Sequence, residues 1–349
     1  MASKVRVGIV GAGGIARNVH IPGYQVLDDV EVVAVCDIAP GRAQEVAAEF
    51  RIASAYDDLA TMLDGEDLDA VSVCTPNVAH KEGTLAALGA GLHVLCEKPI
   101  AMNLAEGREM VAAARERDRI LQIGLHFRFQ PESLALKRMV ERGDLGDIYY
   151  GEATMLRRRG IPSWGVFTRR ELQGGGALID IGVHALDHTM WLMGNPKPLT
   201  VSGATYAAFG PRDDVAPPRW GMWDANTFDV DDMGVAFVRF EGGATLVLRS
   251  AWAAHIGDNL AETRVLGTHG GAFLSPLQIY RDVDRVMVDI TPTGLPTTEP
   301  HRAEIAHFVS CVRGECECAV RPETVLDVQA VLDAVYASAE SGREVAVGA

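Results

Sequence analysis

The sequence predicts an α/β domain with a parallel sheet, followed by an α+β domain whose sheet is largely antiparallel. Three observations predict it. Over the first third of the chain, short and almost wholly apolar runs alternate with helical patterns, as strands buried on both faces do. The first of these runs feeds a glycine turn at the mouth of a helix. Beyond about residue 125 the strands lengthen and are separated by Gly and Asp clusters. The chain has 349 residues, enough for two cores. The expected division is 1–125 and 126–349, with the closing helices able to return to the first domain.

The expected strands of the first domain are Val5–Val10, Val30–Cys36, Ala70–Cys74, His93–Cys96 and Ile120–Gly124. Their β-branched content and flanking turn residues favour strand over helix. Helices are expected from near Gly14 toward Val19, where Pro22 disturbs the pattern, and over Arg42–Phe50, Ala79–Ala90 and Leu104–Arg117. In the second domain, Pro131–Arg142 reads as a helix and Gly146–Arg159 as a strand. Thr200–Tyr206, Met233–Phe240, Ala244–Ala251 and Glu262–Gly267 follow as strands, with a hairpin signal at Phe240–Gly243. Gly210–Asn226 reads as a long ordered loop, and Ala303–Arg313 and Pro322–Ser341 as closing helices.

Composition narrows the function. The formal net charge of −15 disfavours phosphate backbones and anionic membranes, so neither nucleic acid nor membrane is an expected partner. No run of about 20 apolar residues exists, and the opening residues lead straight into a strand and carry no targeting signal. Three of the six cysteines sit in or just after apolar strands, which suits a reducing, cytoplasmic setting. Cys316 and Cys318 form CxC without a second Cys or His pair at ligand spacing, so no metal is expected there.

The first strand runs into Gly11-Ala12-Gly13-Gly14-Ile15-Ala16. Gly11 permits the tight turn, Gly13 lets a pyrophosphate approach the backbone, and Ala16 allows close helix–sheet packing. Asp37 ends the second strand about 20 residues on, placed to accept hydrogen bonds from ribose hydroxyls and to repel a 2′-phosphate. The next residue, Ile38, is not the Arg that would favour NADP, so NAD is expected. The alternatives are a glycine turn that serves packing alone and an Asp37 that caps the helix near Arg42. The third strand ends in Thr75-Pro76-Asn77, with His80 at the next helix start, and the fourth in Glu97-Lys98-Pro99. Ligands of open parallel sheets bind outside these carboxyl ends. The expected cofactor contacts are therefore Gly11, Gly13, Gly14, Ile15, Ala16, Asp37, Thr75, Asn77, His80, Glu97 and Lys98.

Downstream, a flexible glycine lead-in at Gly174–Gly176 joins a helix carrying Asp180 and His184, spaced i,i+4 on one face. Such a pair gives an imidazole whose basicity a carboxylate raises, as a base for a hydroxyl proton needs. A buried pair that merely pins the helix is the alternative. His184 and His188 have metal spacing, but no Glu follows the first His, so no metal is expected there either.

GIVGAGGIA, VCD ending at Asp37, CTPNVAH, CEKPIA, GGGALIDIGVHALD and the closing helices together resemble the Gfo/Idh/MocA oxidoreductase family, the relatives of glucose-fructose oxidoreductase and inositol dehydrogenase. The resemblance spans nearly the whole chain. It implies a Rossmann domain, then a domain built on a large open sheet that forms a subunit interface, hence a homodimer or homotetramer. It implies Lys98, Asp180 and His184 as catalytic residues: His184 as acid/base, Asp180 holding substrate and tuning His184, Lys98 binding the reacting hydroxyl. It also implies a cis Lys98–Pro99 bond. Expected substrate contacts are His126, Arg128, Arg157, Arg159, Trp164, Asp180 and His184; Trp223, Asp224 and Asn226 are expected in loops. Arg157 and Arg159 alternate along a strand and so share a face. The activity implied is NAD-dependent oxidation of one hydroxyl of a sugar, cyclitol or related polyol. Its rivals are a retained-NAD glycoside hydrolase or epimerase and a non-catalytic NAD-linked sensor.

Overall fold

A computed structural model describes residues 4–218 and 220–348. Two compact units divide the chain: 1–129 with 298–326, and 130–297 with 327–349.

The first unit is built on six strands: β1 (Val5–Val10), β2 (Val30–Cys36), β3 (Ser54–Tyr56), β4 (Ala70–Val73), β5 (His93–Cys96) and β6 (Leu121–Ile123). All pairs are parallel, in the order β3-β2-β1-β4-β5-β6. The order reverses between β1 and β4, and a crevice opens at such a switch point. Successive residues of β1 face opposite sides. Val7 and Ile9 join Ile21, Tyr24 and Leu95 in one core, whereas Val10 joins Val71, Val73, Leu88 and Met110 in another. Helices α1 (Ile21–Gln25), α2 (Arg42–Phe50), α3 (Leu59–Gly65), α4 (His80–Gly89) and α5 (Leu104–Glu116) cross between strands.

Pro22 does not break the first helix. A π turn over Ala16–His20 precedes α1, closed by the Ile21 N–H reaching back to the Ala16 carbonyl. Pro22 then falls in the first turn of α1, where a missing amide hydrogen costs little. β3 and α3 were not expected; β3 is only three half-buried residues, too short to show a pattern.

The second unit carries a nine-stranded sheet. Its strands are β7 (Ile148–Leu156), β8 (Pro198–Tyr206), β9 (Met233–Phe240), β10 (Thr245–Ala251), β11 (Leu260–Gly267), β12 (Gly271–Leu274), β13 (Gln278–Val283), β14 (Val286–Ile290) and β15 (Val345–Ala346). The order is β14-β13-β12-β11-β7-β10-β9-β8-β15, and only the β7–β10 pair is parallel. Leu246, Leu248 and Val265 pack there with Leu186 and Met190. The helices are α6 (Pro131–Glu141), α7 (Arg170–Gln173) and α8 (Val183–Leu192), the last led by a π turn over Leu178–Gly182. Two further helices close the chain, α9 (Pro300–Val312) and α10 (Pro322–Ser341). Residues 298–326, with all of α9, belong to the first unit.

Candidate active site

The loops at the carboxyl ends of β1, β2, β4, β5 and β6 form one polar rim of the first unit. Gly11 has φ +92°, and a Cβ there would sit 2.8 Å from the Cys74 backbone, so only glycine lets the loops after β1 and β4 meet. A Cβ on Gly13 would meet nothing within 4 Å, which leaves open space beside the loop. Ala16 is fully buried against the sheet. Asp37 accepts the Ala12 N–H through Oδ2 and the Ala39 N–H through Oδ1, both at 2.8 Å. It does not cap α2, whose N-cap is Gly41. Arg42, half exposed, brings Nη1 to 3.7 Å from Asp37 Oδ2.

Thr75 Oγ1 is buried and has no hydrogen-bond partner among the described residues. An unsatisfied hydroxyl on the rim, the open space at Gly13 and first-turn amides lacking intrahelical acceptors together fit a dinucleotide. Bound there, it would be held by the Gly11–Ala16 loop, Asp37 and the loops after β4 and β5.

His80 is fully buried, and its Nδ1 and Nε2 lie 2.8 and 3.1 Å from the carbonyls of Pro99 and Thr75. That corrects its expected role as a direct cofactor contact: it braces two loops against each other. Burial lowers its pKa, against the two carbonyls, which raise it. Asn77 is buried in the turn before α4.

Glu97 and Lys98 follow β5, and the Lys98–Pro99 bond is cis. Glu97 is 8% exposed. Its Oε1 lies 2.9 Å from His20 Nε2, His20 Nδ1 lies 3.1 Å from Ser72 Oγ, and Ser72 Oγ lies 2.7 Å from the Tyr24 hydroxyl. The Lys98 N–H donates to Glu97 Oε2 at 3.2 Å. Burial pushes the Glu97 carboxyl up, but the hydrogen bond and charge of His20, then Lys98 and His126, outweigh it and hold it at about 2. The backbone from which Lys98 springs is thus anchored by a buried chain of four side chains. His20 and Ser72 were not foreseen, because they meet Glu97 only through folding.

His126 stacks on His301 of α9, ring centroids 3.7 Å apart. Burial and then the charge of His301 lower the His126 pKa to about 3. Glu299 caps α9 through the His301 and Arg302 amides and lies 3.0 Å from His301 Nδ1. Arg128 is 2% exposed and donates to Thr324 Oγ1 at 3.3 Å.

In the second unit the three glycines are not a flexible lead-in. A Cβ on Gly176 would fall 1.8 Å from the Asp231 carbonyl oxygen, and one on Gly175 would fall 2.0 Å from the Tyr336 hydroxyl. The Asp231 carboxylate accepts the N–H groups of Gly176 and Leu178 at 2.8 and 2.9 Å and the Tyr336 hydroxyl at 2.6 Å. The helix start is clamped, and with it Asp180 in the π turn and His184 in the first turn of α8. Trp252 is fully buried and donates its indole N–H to Asp180 Oδ2 at 2.9 Å. His184 is 8% exposed. His188 is scaffold: its Nε2 and Nδ1 lie 2.8 Å and 3.3 Å from the hydroxyls of Ser133 and Thr263.

Arg157 and Arg159 lie beyond the end of β7, at Leu156, and reach different partners. Burial lowers the Arg157 pKa against the opposing charge of Asp180, and its guanidinium lies 5.7 Å from the Trp220 ring. Trp220 meets Trp164 edge-on at 5.1 Å. Arg159 stacks over Phe209 at 4.6 Å and donates to the Ala254 carbonyl. Trp223 is buried, its indole donating to the Gly210 carbonyl at 2.6 Å, and Asp224 accepts the Asn226 N–H at 3.0 Å; both hold the loop.

These features define a dinucleotide-dependent oxidoreductase. Residues 5–125 match the model of an oxidoreductase family with an NAD-binding Rossmann fold, and 133–273 match the GFO/IDH/MocA C-terminal domain. The chain belongs to the GFO/IDH/MocA family and is an NAD-binding oxidoreductase. It is 37% identical to D-glucoside 3-dehydrogenase of Escherichia coli over 345 residues, 99% of this chain and 98% of that protein. It is 27% identical to levoglucosan dehydrogenase of Pseudarthrobacter phenanthrenivorans, over 76% of this chain and 72% of that protein. The crystal structure of an oxidoreductase domain protein from Kribbella flavida shares the fold, with a TM-score of 0.86 at 23% identity over 100% of both chains.

Proposed function

We propose that this protein is a sugar dehydrogenase that oxidises one ring hydroxyl of a D-glucoside or a closely related sugar. The single observation that carries this reading is end-to-end likeness, 37% over 99% of the chain, to a D-glucoside 3-dehydrogenase. The clamped Asp180–His184 segment and the anchored Lys98 support it.

Bound NAD+ supplies a hydride acceptor. Lys98 binds the reacting hydroxyl and lowers its pKa, and its ammonium charge stabilises the developing alkoxide. His184 takes the hydroxyl proton as general base. Asp180, fixed by the Trp252 indole, holds the substrate and tunes His184. Arg157, Arg159, Trp164 and His126 select the sugar. The protein works in the cytoplasm as a homodimer or homotetramer; support comes from six free cysteines and from the exposed apolar residues Val283, Val286 and Met287 on β13 and β14. Among the described residues, no helix is long and apolar enough to cross a membrane.

The test is NADH formation by the purified protein on a panel of D-glucosides, anhydrosugars, inositols and aldoses. NADH with glucosides, and a 3-keto product by NMR, is the expected result. Tight NAD+ binding with no NADH from any sugar would sink the reading. In the same assay Lys98→Ala is expected to lower kcat about 10³-fold while NAD+ binding stays within about twofold. If Lys98→Ala keeps most of its turnover, its assigned role is wrong.

A further inference from the structure

The end of α9 and the loop after it gather one imidazole and three thiols that hydride transfer does not use. His307 and Cys311 stand four residues apart on α9, one turn from each other on one face. The chain leaves the helix and brings Cys316 and Cys318 back to the same place. Cys311 Sγ lies 3.4 Å from His307 Nε2 and 3.4 Å from Cys316 Sγ, and Cys316 Sγ lies 3.7 Å from His307 Nδ1. The ligand atoms of His307, Cys311 and Cys318 all lie within 4.8 Å of one another.

Zinc binds thiolate at about 2.3 Å and imidazole at about 2.0–2.1 Å, so tetrahedral angles set neighbouring donors roughly 3.5–3.8 Å apart. The two distances at Cys311 Sγ, 3.4 Å to His307 Nε2 and 3.4 Å to Cys316 Sγ, fall close to those edges, whereas Cys316 faces the other ring nitrogen and has to swing to complete the set. They are far from the roughly 2.0 Å of a sulfur–sulfur bond, and all the cysteines are free. Three sulfurs and an imidazole, with no carboxylate among them, are soft donors that favour zinc over magnesium or calcium. The cluster also has supporting contacts. Cys311 is 3% exposed, the His307 ring lies 5.3 Å from Phe129, and Cys318 Sγ lies 3.6 Å from Gln122 Oε1 on β6.

We propose that His307, Cys311 and Cys318, with Cys316 as fourth ligand, form a structural zinc site that fastens the loop after α9 to that helix and to β6. All four positions are filled by protein, so the ion has no open position for catalysis. The Ala319 N–H donates to His307 Nε2 at 2.9 Å; zinc takes that lone pair, and the exposed Ala319 amide turns to solvent.

The test uses the full chain, expressed with zinc and purified without chelators. Elemental analysis after gel filtration is expected to give about one zinc per chain. Cobalt(II) added to chelator-treated protein is expected to show intense tetrahedral bands with thiolate charge transfer. Cys316→Ser, at an exposed position, is expected to weaken zinc binding at least about tenfold against a chromophoric chelator. Cys318→Ser is expected to lower the intensity of the thiolate–cobalt bands by about a third, one thiolate of three. Substoichiometric zinc, or weak octahedral cobalt bands, in the unaltered chain would overturn the proposal. So would the loss of two thiols on mild oxidation of zinc-free protein with no zinc uptake by the reduced form, which would mark a redox pair instead. None of these readouts depends on the sugar.

Discussion

Two glycine-rich stretches, Gly11–Gly14 and Gly174–Gly176, each lead into a π turn and then a helix, yet they do opposite things. In the first, the missing side chain at Gly13 leaves room that no protein atom fills. In the second, backbone atoms and a tyrosine hydroxyl occupy the space a Cβ would need. The first loop is open to a visitor at Gly13, while its Gly11, like Gly175 and Gly176, is fitted to the protein's own atoms. Glycine content alone does not distinguish them; the partner residues do.

The largest expected effect lies in the filled stretch. Gly176→Ala drives a Cβ into the Asp231 carbonyl, where only backbone could yield, and is expected to cost roughly 3 kcal/mol or more. A thermal melt or urea titration measures it, and an unchanged midpoint would erase the contrast. Gly13→Ala should be its mirror image. Stability is expected to stay within about 1 kcal/mol, while the Kd for NAD+ rises about tenfold. Calorimetric titration decides, and a normal Kd would mean that the open space is not where the pyrophosphate lies.

Asp37→Ser sharpens the account of the same loop. It removes the carboxylate that would repel a 2′-phosphate and releases Arg42 from its pairing. The NADP-to-NAD preference in kcat/KM is expected to rise about tenfold or more. An unmoved ratio would show that Arg42 does not reach the ribose edge. The smallest effect concerns His126. Its folded pKa of about 3 lies below the ordinary 6.5, so the unfolded state takes up a proton first as pH falls. Stability contributed by the neutral ring is therefore present above pH 6.5 and declines between 6.5 and 3. His126→Gln is expected to flatten the stability-versus-pH slope in that window by up to about one proton. An identical slope would show that the stacked ring protonates freely in the folded protein.

What was legible in the sequence follows from how each feature is encoded. The parallel strands announced themselves because both faces are buried, so each reads as an unbroken apolar run. The glycine fingerprint and Asp37 were legible because their spacing is local. The anchoring of Glu97 was not, since His20 and Ser72 join it from 77 and 25 residues away in the chain. Trp252, 72 residues beyond Asp180, was missed for the same reason. The strands β12 to β14 are short, and β13 and β14 are mostly exposed, so no hydrophobic alternation marked them. Arg157 to Arg159 read as a continuation of β7, and although the regular strand ends at Leu156, the Arg157 N–H still bonds Ala251 and Arg159 still bridges Ala253. The partners of CxC were hidden because His307 and Cys311 are set one helical turn apart on α9 and do not form a second closely spaced motif.

The π turn at Leu178–Gly182 has a bearing on how this chain tolerates change in length. A π turn is an α-helix that has accepted one additional residue. Removing a single residue there would restore regular winding with the flanking turns still in register, at the cost of the widened turn that carries Asp180. Asp180 would lose the local winding that sets it against Trp252, while the glycines would keep their seat on Asp231. Surface loops absorb insertions and deletions in steps of one. This helical segment can take such a step too, and what hangs on the one residue is the direction in which Asp180 points.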